Sequence, residues 1–207
     1  MQRGNKIFII AFFQTNSEQT EKLYSTVIEF ADLSGKELVY DLYCGSGTIG
    51  IALAEKAKHV WGIELIQDAV EDAAVNANLN GIADADFIAG DMRLALPALI
   101  EHAGIPDLAV IDPPRAGLTA KVVRRVLDAG AKRIVYVSCN PTTLAPNLKQ
   151  MVESGYKLRK VRPVDMFPHT PHIECVAVLD LVDDAQRLAV IEARLAERRA
   201  GKKPKNA

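Results

Sequence analysis

The sequence predicts an α/β protein with a mostly parallel β-sheet and helices on both faces. Short runs of β-branched residues alternate with longer stretches whose apolar residues recur at helical spacing, which is typical of successive βαβ units. A glycine-rich turn, CGSG at residues 44–47, follows the first strong strand, and an acidic residue, Glu64, ends the next one. Both features are typical of the carboxyl edge of a parallel sheet, where such folds bind ligands.

The predicted elements follow one another in a regular order. The strands are predicted at residues 37–43, 59–65, 84–91, 106–115, 132–140, 156–167 and 172–182. The helices are predicted at residues 48–57, 67–81, 119–130 and 141–155. Ahead of them lie a strand-like KIFIIAFF and a helix over residues 17–33, and residues 183–207 have the pattern of a helix that ends in a basic tail.

This order of elements resembles the Rossmann-like class I methyltransferases. Their sheet has seven strands, and the last strand is inserted antiparallel; the strand order is implied by the resemblance, because periodicity predicts only the alternation. We therefore expect three segments. Residues 1–33 form the lead-in strand and helix, residues 34–182 the S-adenosylmethionine-dependent methyltransferase domain, and residues 183–207 the C-terminal helix and tail.

Composition narrows the class of protein further. The 25 basic and 26 acidic residues nearly cancel, so no strong overall field attracts the chain to nucleic acid or to a membrane. No apolar run approaches the roughly 20 residues that span a bilayer. An odd number of cysteines, three, argues against a disulfide framework and favours a reducing, cytoplasmic setting.

The glycine-rich turn predicts a nucleotide-like ligand. Gly45, Gly47 and Gly50 match the dinucleotide fingerprint only loosely, and Glu64 is placed to accept the hydroxyls of a ribose. Asp41, at the end of the first strand, weakens the NAD interpretation and favours S-adenosylmethionine, whose ammonium suits a nearby carboxylate. Asp91, after the third strand, stands where such enzymes contact adenine.

The fourth, fifth and last predicted strands carry the candidate catalytic residues. Asp112 begins the sequence DPPR, and Arg115 stands where enzymes that methylate exocyclic amines usually place an aromatic residue, which argues against that activity. Cys139 follows the fifth strand in SCNP, where the next helix could activate its thiol. Glu174 lies in an apolar strand, where an ionised carboxylate is costly, so it is a candidate base with a raised pKa; an ion pair with an arginine is the alternative.

His169, His172, the remaining cysteines and the basic tail are expected to have structural roles. His169 and His172 lack a third ligand at sensible spacing, so packing or backbone hydrogen bonding is expected in place of metal binding. Cys44 and Cys175 are expected to be small packing residues. The basic tail is interpreted as a solvated helix end, with a phosphate contact as the alternative.

Taken together, five motifs resemble the RNA uracil-5-methyltransferase family, which makes 5-methyluridine in tRNA and rRNA. The motifs are FFQTN, DLYCGSGTIGIAL, DPPRAGL, VSCNPTTLA and MFPHTPHIEC. The resemblance implies that Cys139 is the nucleophile and Glu174 the base. It also implies S-adenosylmethionine as the cofactor, bound by Gln14, Tyr43, Thr48, Glu64, Asp91 and Asp112.

The resemblance implies a covalent mechanism on a uridine of RNA. A thiolate that adds to C6 of uracil makes C5 nucleophilic toward the methyl group, and a base then removes the C5 proton. The target base must leave its stack to reach the site. Members of this family usually carry an RNA-binding β-barrel, a central domain and, in some cases, an iron–sulfur cluster, so we expect this chain to be the catalytic part alone, without a metal and favoured as a monomer.

Two alternatives stay open at this point. An RNA cytosine-5-methyltransferase also uses a cysteine at C6, but generally carries a second cysteine after the prolines, where this chain has Arg115 and Ala116. The chain could also be a cofactor-binding module without independent RNA methylation. The sequence does not identify the RNA or the uridine.

Overall fold

A computed structural model of the chain describes residues 17–166, 168–170 and 172–182. The predicted lead-in strand, Gln14, and the C-terminal helix and tail lie outside the described residues. The structure holds one seven-stranded sheet in the order β3-β2-β1-β4-β5-β7-β6. The strand β7 runs in the opposite direction to the other six and pairs antiparallel with β5 and β6. The predicted fold class is confirmed.

The strands and helices alternate along the chain as far as β6. The strands are β1 Leu38–Leu42, β2 His59–Glu64, β3 Ala85–Ala89, β4 Leu108–Ile111, β5 Arg133–Ser138, β6 Tyr156–Val164 and β7 Glu174–Leu181. The helices are α1 Ser17–Ala31, α2 Thr48–Ala54, α3 Gln67–Leu79, α4 Met92–Ala103, α5 Ala120–Ala129 and α6 Pro141–Glu153. Most predicted elements are thus present, with ends shortened by a few residues.

Helix α4 is the one described helix that the sequence pattern did not predict. It contains Pro97, which lacks the backbone N–H that an interior helical position normally uses. The helix forms because Leu96, Leu99 and Ile100 are buried on one side of it. Asp91 stabilises its start by accepting a hydrogen bond from the backbone N–H of Arg93.

Helices cover both faces of the sheet. On one face, α4, α5 and α6 pack on Tyr40, Ile111 and Tyr136. On the other face, α1 and α2 pack on Val39, Val110, Val135, Val137 and Val176. These β-strand residues alternate between the two faces, as the pleat requires. The central strands are therefore buried on both sides, and polar groups meet solvent mainly at the strand ends.

Capping residues mark the ends of the helices near the site. Asn140 accepts a hydrogen bond from the N–H of Thr142 at the start of α6, and Thr119 does the same for Val122 in α5. Gly130 ends α5 in the left-handed conformation that glycine adopts readily. None of the helices in the described ranges is long and apolar enough to cross a membrane.

Candidate functional site

Six of the predicted site residues lie along one edge of the sheet, in the order of the strands. Asp91 follows β3, Glu64 ends β2, Tyr43 follows β1, Asp112 follows β4, Cys139 follows β5, and Glu174 begins β7. Because β7 is antiparallel, its first residue lies at the edge where the parallel strands end. The structure thus gathers residues distant in sequence into one row.

The turn after β1 is tightly packed and requires its glycines. Gly47 has φ 80°, and a Cβ atom there would lie 2.9 Å from the Cβ atom of Ala73. A Cβ atom on Gly50 would lie 2.9 Å from Oδ2 of Asp41. That carboxylate oxygen accepts a hydrogen bond of 2.8 Å from the N–H of Gly50, so the glycine allows Asp41 to tie β1 to α2.

Asp41 is fully buried, and only one of its two carboxylate oxygens is hydrogen bonded. Within the described part of the chain, Oδ1 has no hydrogen-bond partner. Burial, together with Asp112 and Glu64, raises the pKa of Asp41 to about 7. Burial likewise raises the pKa of Asp112 to about 6. Near the middle of this edge, Asp41 and Asp112 therefore form two carboxyl groups whose ionised forms a cationic neighbour would stabilise.

The residues predicted to bind the adenosine end lie at the ends of β1, β2 and β3. Glu64 accepts hydrogen bonds from the N–H groups of Gly45, Leu65 and Ile66, at 3.1, 2.7 and 3.1 Å. Burial, Asp91 and Glu64 raise the pKa of Tyr43, so these three side chains share one region. In the structure the carboxylate of Glu64 holds the turn itself, a role that the sequence did not predict.

Asp91 also has a structural role. Its carboxylate accepts hydrogen bonds from the guanidinium of Arg93 at 2.9 and 2.7 Å, in addition to the backbone N–H of Arg93. These hydrogen bonds lower the pKa of Asp91 to about 2. Asp91 therefore remains ionised while it caps α4.

Thr48 lies at the first position of α2 and contacts Tyr24, a residue that the sequence did not mark as part of the site. The hydroxyl of Tyr24, on α1, donates a hydrogen bond of 2.9 Å to Oγ1 of Thr48. Burial raises the pKa of Tyr24, and the charges of Asp112 and Asp41 raise it further. The hydroxyl of Tyr24 therefore lies within electrostatic range of the two central carboxyl groups. A tyrosine next to the buried Leu23 on an amphipathic helix looks like a core residue, so the sequence held no separate signal for it.

Cys139 and Glu174 come together through the register of β5 and β7. Ser138, the last residue of β5, pairs with Cys175, so Cys139 and Glu174 occupy the next opposed positions. Opposed Cα atoms in an antiparallel pair lie about 5 Å apart. Glu174 is the first residue of β7, where the sequence predicted a position inside the strand, and it is 6% exposed.

Electrostatic effects on this pair oppose ionisation. Burial, Glu174 and Asp112 raise the pKa of the half-buried Cys139 thiol, and Arg115 lowers it. The expected activation of the thiol by the start of α6 is thus outweighed in the structure. Burial and the charge of Asp112 raise the pKa of Glu174 to about 7, while Arg115 acts in the opposite direction. No ion pair to Glu174 is found among the described residues.

Side chains of α6 and its cap hold the loop that carries Arg115. The carbonyl of Arg115 accepts hydrogen bonds of 3.3 Å from Nδ2 of Asn140 and from Oγ1 of Thr143. The buried Asn147 accepts from the N–H of Leu118 and donates to its carbonyl, both at 3.0 Å. Oδ1 of Asn147 also accepts a hydrogen bond of 2.9 Å from the hydroxyl of Tyr136, so the loop is fixed to the core.

Of the two roles expected for the histidines, packing or backbone hydrogen bonding, the structure does not support packing. His169 and His172 are both exposed, and Nδ1 of His172 lies 3.0 Å from the guanidinium of Arg115. Among the described residues, no group of three or more histidine, cysteine or acidic side chains could hold a metal ion. Cys44 and Cys175 are buried, which is in keeping with the packing role predicted for them.

The sheet order and the site at its edge define a Rossmann-like methyltransferase fold. The family model described as tRNA (Uracil-5-)-methyltransferase matches residues 6–182, and the chain belongs to that family. A Bacteroides thetaiotaomicron protein named as an uncharacterized RNA methyltransferase is 52% identical over 172 residues, which is 83% of this chain and 38% of that protein. A protein of the same name from Bacillus cereus is 48% identical over 172 residues, again 83% of this chain and 38% of that protein.

A solved structure with related sequence extends the comparison. The tRNA (uracil-54, C5)-methyltransferase of Pyrococcus abyssi, in complex with S-adenosyl-L-homocysteine, is 38% identical with a TM-score of 0.69. The match covers 82% of this chain and 40% of that chain. The chain therefore spans well under half the length of the relatives that it matches.

Proposed function

We propose that this chain is the catalytic part of an enzyme that transfers a methyl group from S-adenosylmethionine to C5 of a uridine in RNA, either tRNA or rRNA. Cys139 is the nucleophile and Glu174 the base. The observation that carries the proposal is the register of β5 and β7, which sets Cys139 opposite Glu174 at the same edge of the sheet as the glycine-rich turn after β1. Family membership and the Pyrococcus abyssi relative support the uracil specificity.

The residues at the edge of the sheet fit S-adenosylmethionine. The buried, unpaired Oδ1 of Asp41 and the carboxyl of Asp112 offer acceptors for an ammonium group. Tyr43, Thr48, Glu64 and Asp91 are the other described residues proposed to hold the cofactor, and Gln14 is proposed with them. When bound, the cofactor supplies an electrophilic methyl group.

Cys139 and Glu174 perform the steps on the base. Sγ of Cys139 adds to C6 of the uracil, and the electron pair of the C5–C6 double bond moves so that C5 becomes nucleophilic. After C5 has gained the methyl group, Glu174 takes the C5 proton. The electron pair of that C–H bond re-forms the double bond, and the thiolate of Cys139 leaves. A carboxyl group with a pKa near 7 is a better proton acceptor than an ordinary glutamate.

The test is a trapping experiment with RNA that contains 5-fluorouridine. Fluorine cannot leave C5 as a proton does, so the adduct with Cys139 accumulates and survives denaturation. The protein with S-adenosylmethionine and this RNA should give a complex of retarded mobility on a denaturing gel, and Cys139→Ala should not. If Cys139→Ala still traps the RNA, the assigned nucleophile is wrong.

The same assay separates the alternatives. Trapping on 5-fluorocytidine RNA and not on 5-fluorouridine RNA would indicate a cytosine-5-methyltransferase. Binding of S-adenosylmethionine without trapping or methylation of any uridine-containing RNA would indicate a cofactor-binding module. Because the chain spans about 38% of the length of its relatives, the trapping is also carried out with a full-length protein of the family as a positive control.

A further inference from the structure

Tyr24 connects helix α1 to the centre of the site. Its hydroxyl lies 2.9 Å from Oγ1 of Thr48, 24 residues later in the chain. Asp41 and Asp112 act electrostatically on the same hydroxyl, so the phenol lies on the side of the sheet edge where the central carboxyl groups gather. The described hydroxyls around this point therefore form a short chain from α1 into the site.

The direction of this hydrogen bond decides what Thr48 can do. A phenol is a stronger hydrogen-bond donor than an aliphatic alcohol, and Tyr24 is kept protonated by burial and by its acidic neighbours. Tyr24 therefore donates to Oγ1 of Thr48. A threonine hydroxyl that accepts in this way must direct its own hydrogen elsewhere, and the half-buried Thr48 begins α2 directly after the glycine-rich turn.

The neighbouring groups determine which ligand atom needs that hydrogen. Asp41 has an unpaired buried carboxylate oxygen, and Asp112 is a second carboxyl group nearby, so both favour a cationic ligand group. The amino-acid end of S-adenosylmethionine carries an ammonium and a carboxylate. Two carboxyl groups can serve the ammonium, but a ligand carboxylate beside them requires a hydrogen-bond donor.

We propose that Tyr24 is a positioning residue that orients the hydroxyl of Thr48 so that it donates a hydrogen bond to the carboxylate of the cofactor. This inference rests on the proposed function, since it presumes that the cofactor is S-adenosylmethionine. Tyr24 acts through Thr48 and touches no reacting atom. It extends the cofactor site to α1, an element that the motifs of the strand ends do not include.

The experiment measures ligand binding to the intact chain by calorimetry, without RNA. The two probes are S-adenosylhomocysteine and its decarboxylated analogue, which keeps the ammonium and lacks the carboxylate. Tyr24→Phe should decrease the affinity for S-adenosylhomocysteine about threefold to tenfold, which is the usual effect of one lost hydrogen bond. The same variant should bind the decarboxylated analogue as the unchanged protein does.

Further variants separate positioning from folding. Thr48→Val should decrease the affinity for S-adenosylhomocysteine at least as much as Tyr24→Phe does. The double variant should bind S-adenosylhomocysteine no more weakly than Thr48→Val alone. Tyr156→Phe is the matched control, because it removes a tyrosine hydroxyl that donates to the carbonyl of Ala131, away from the site. It should leave both affinities unchanged.

The outcomes distinguish this inference from the function on which it rests. Equal weakening of both probes by Tyr24→Phe would show that Tyr24 only supports the fold, and unchanged affinities would show that it has no part in binding; either result overturns the inference and leaves the proposed function standing. If the unchanged protein binds neither probe, the cofactor assignment is wrong and both proposals fail together.

Discussion

Cys139 and Glu174 are 35 residues apart in the chain, yet they occupy opposed positions next to the last pair of β5 and β7, Ser138 and Cys175. Burial and the charge of Glu174 raise the pKa of the Cys139 thiol, and burial and the charge of Asp112 raise the pKa of Glu174. Both effects therefore favour the protonated thiol and the protonated carboxyl in the free protein.

Replacement of Glu174, the proposed base, should stop the reaction after the covalent step. In Glu174→Gln the C5 proton has no acceptor, so a complex between the protein and ordinary uridine-containing RNA should accumulate and persist on a denaturing gel. The double variant Cys139→Ala, Glu174→Gln is the control and should give no such complex. Full turnover by Glu174→Gln would exclude Glu174 as the base.

The pH dependence of methylation should reflect the raised pKa of Glu174. The glutamate accepts a proton only when ionised, so kcat/KM should increase with pH through about 7, whereas an ordinary glutamate would have reached its plateau above about pH 5. A second increase at higher pH is expected, because the pKa of the Cys139 thiol is raised as well. A rate that stays constant between about pH 5 and pH 8 would contradict this assignment.

Arg115 should increase the reactivity of Cys139. Its guanidinium is the described cation that lowers the pKa of both the Cys139 thiol and the Glu174 carboxyl. Arg115→Met should slow alkylation of Cys139 by iodoacetamide about twofold to fivefold at fixed pH, as followed by peptide mass spectrometry. Arg125→Met is the matched control, since Arg125 pairs with Asp128 on α5. Equal alkylation rates of Cys139 in the two variants would show that Arg115 does not influence the reactivity of the thiol.

Asp41 should make the folded state less stable as pH rises. Its folded pKa of about 7 is above the ordinary value of 3.8, so the unfolded chain loses this proton first, and stability decreases between about pH 4 and pH 7. Asp41→Asn cannot ionise and retains an oxygen that accepts from Gly50. Its free energy of unfolding should therefore match that of the unchanged protein near pH 4 and exceed it above pH 7, by on the order of 4 kcal/mol.

Urea unfolding at several pH values measures the effect of Asp41→Asn. The exposed Asp68, in the first turn of α3, provides the control variant Asp68→Asn. Stability curves of Asp41→Asn and the unchanged protein that run parallel from pH 4 to pH 8 would show that Asp41 has no raised pKa.

Asn147 should be important for stability although it is not a reacting group. Asn147→Ala leaves the N–H and carbonyl of Leu118 and the hydroxyl of Tyr136 without this buried partner. The free energy of unfolding should decrease by about 2 to 4 kcal/mol in denaturant titrations. Lys149→Ala, at an exposed position of the same helix, should change it little. A small loss in Asn147→Ala would indicate that the loop of Arg115 is held by other contacts.

The sequence predicted the parts of the fold that periodicity encodes. The alternation of strands and helices was correct because most apolar residues of this chain match either a period of two or a helical period. Helix α4 was missed because Pro97 interrupts its pattern, and the burial of Leu96, Leu99 and Ile100 that compensates for it depends on the folded sheet. The strand order came from the resemblance to a known architecture, since the pattern itself does not specify it.

The site could be predicted only where a motif marks it. Cys139, Asp112 and Glu64 stand at strand ends that the sequence makes visible. Tyr24, Asn147 and the contact of Arg115 with His172 depend on distances between elements far apart in the chain. The raised pKa of Cys139 could not be foreseen either, because it results from burial in the folded protein and from the carboxyl groups of Glu174 and Asp112.

The reversed direction of β7 makes the position of Glu174 sensitive to a single-residue slip. The other edge residues come from where a strand ends and a loop begins, whereas Glu174 precedes seven residues of paired strand. One extra residue between Glu174 and Cys175 would leave the pairing of the strand intact and turn the carboxyl to the opposite side of the sheet. A loop before β7 can therefore vary in length without moving Glu174, whereas an insertion within the strand cannot be accommodated in this way.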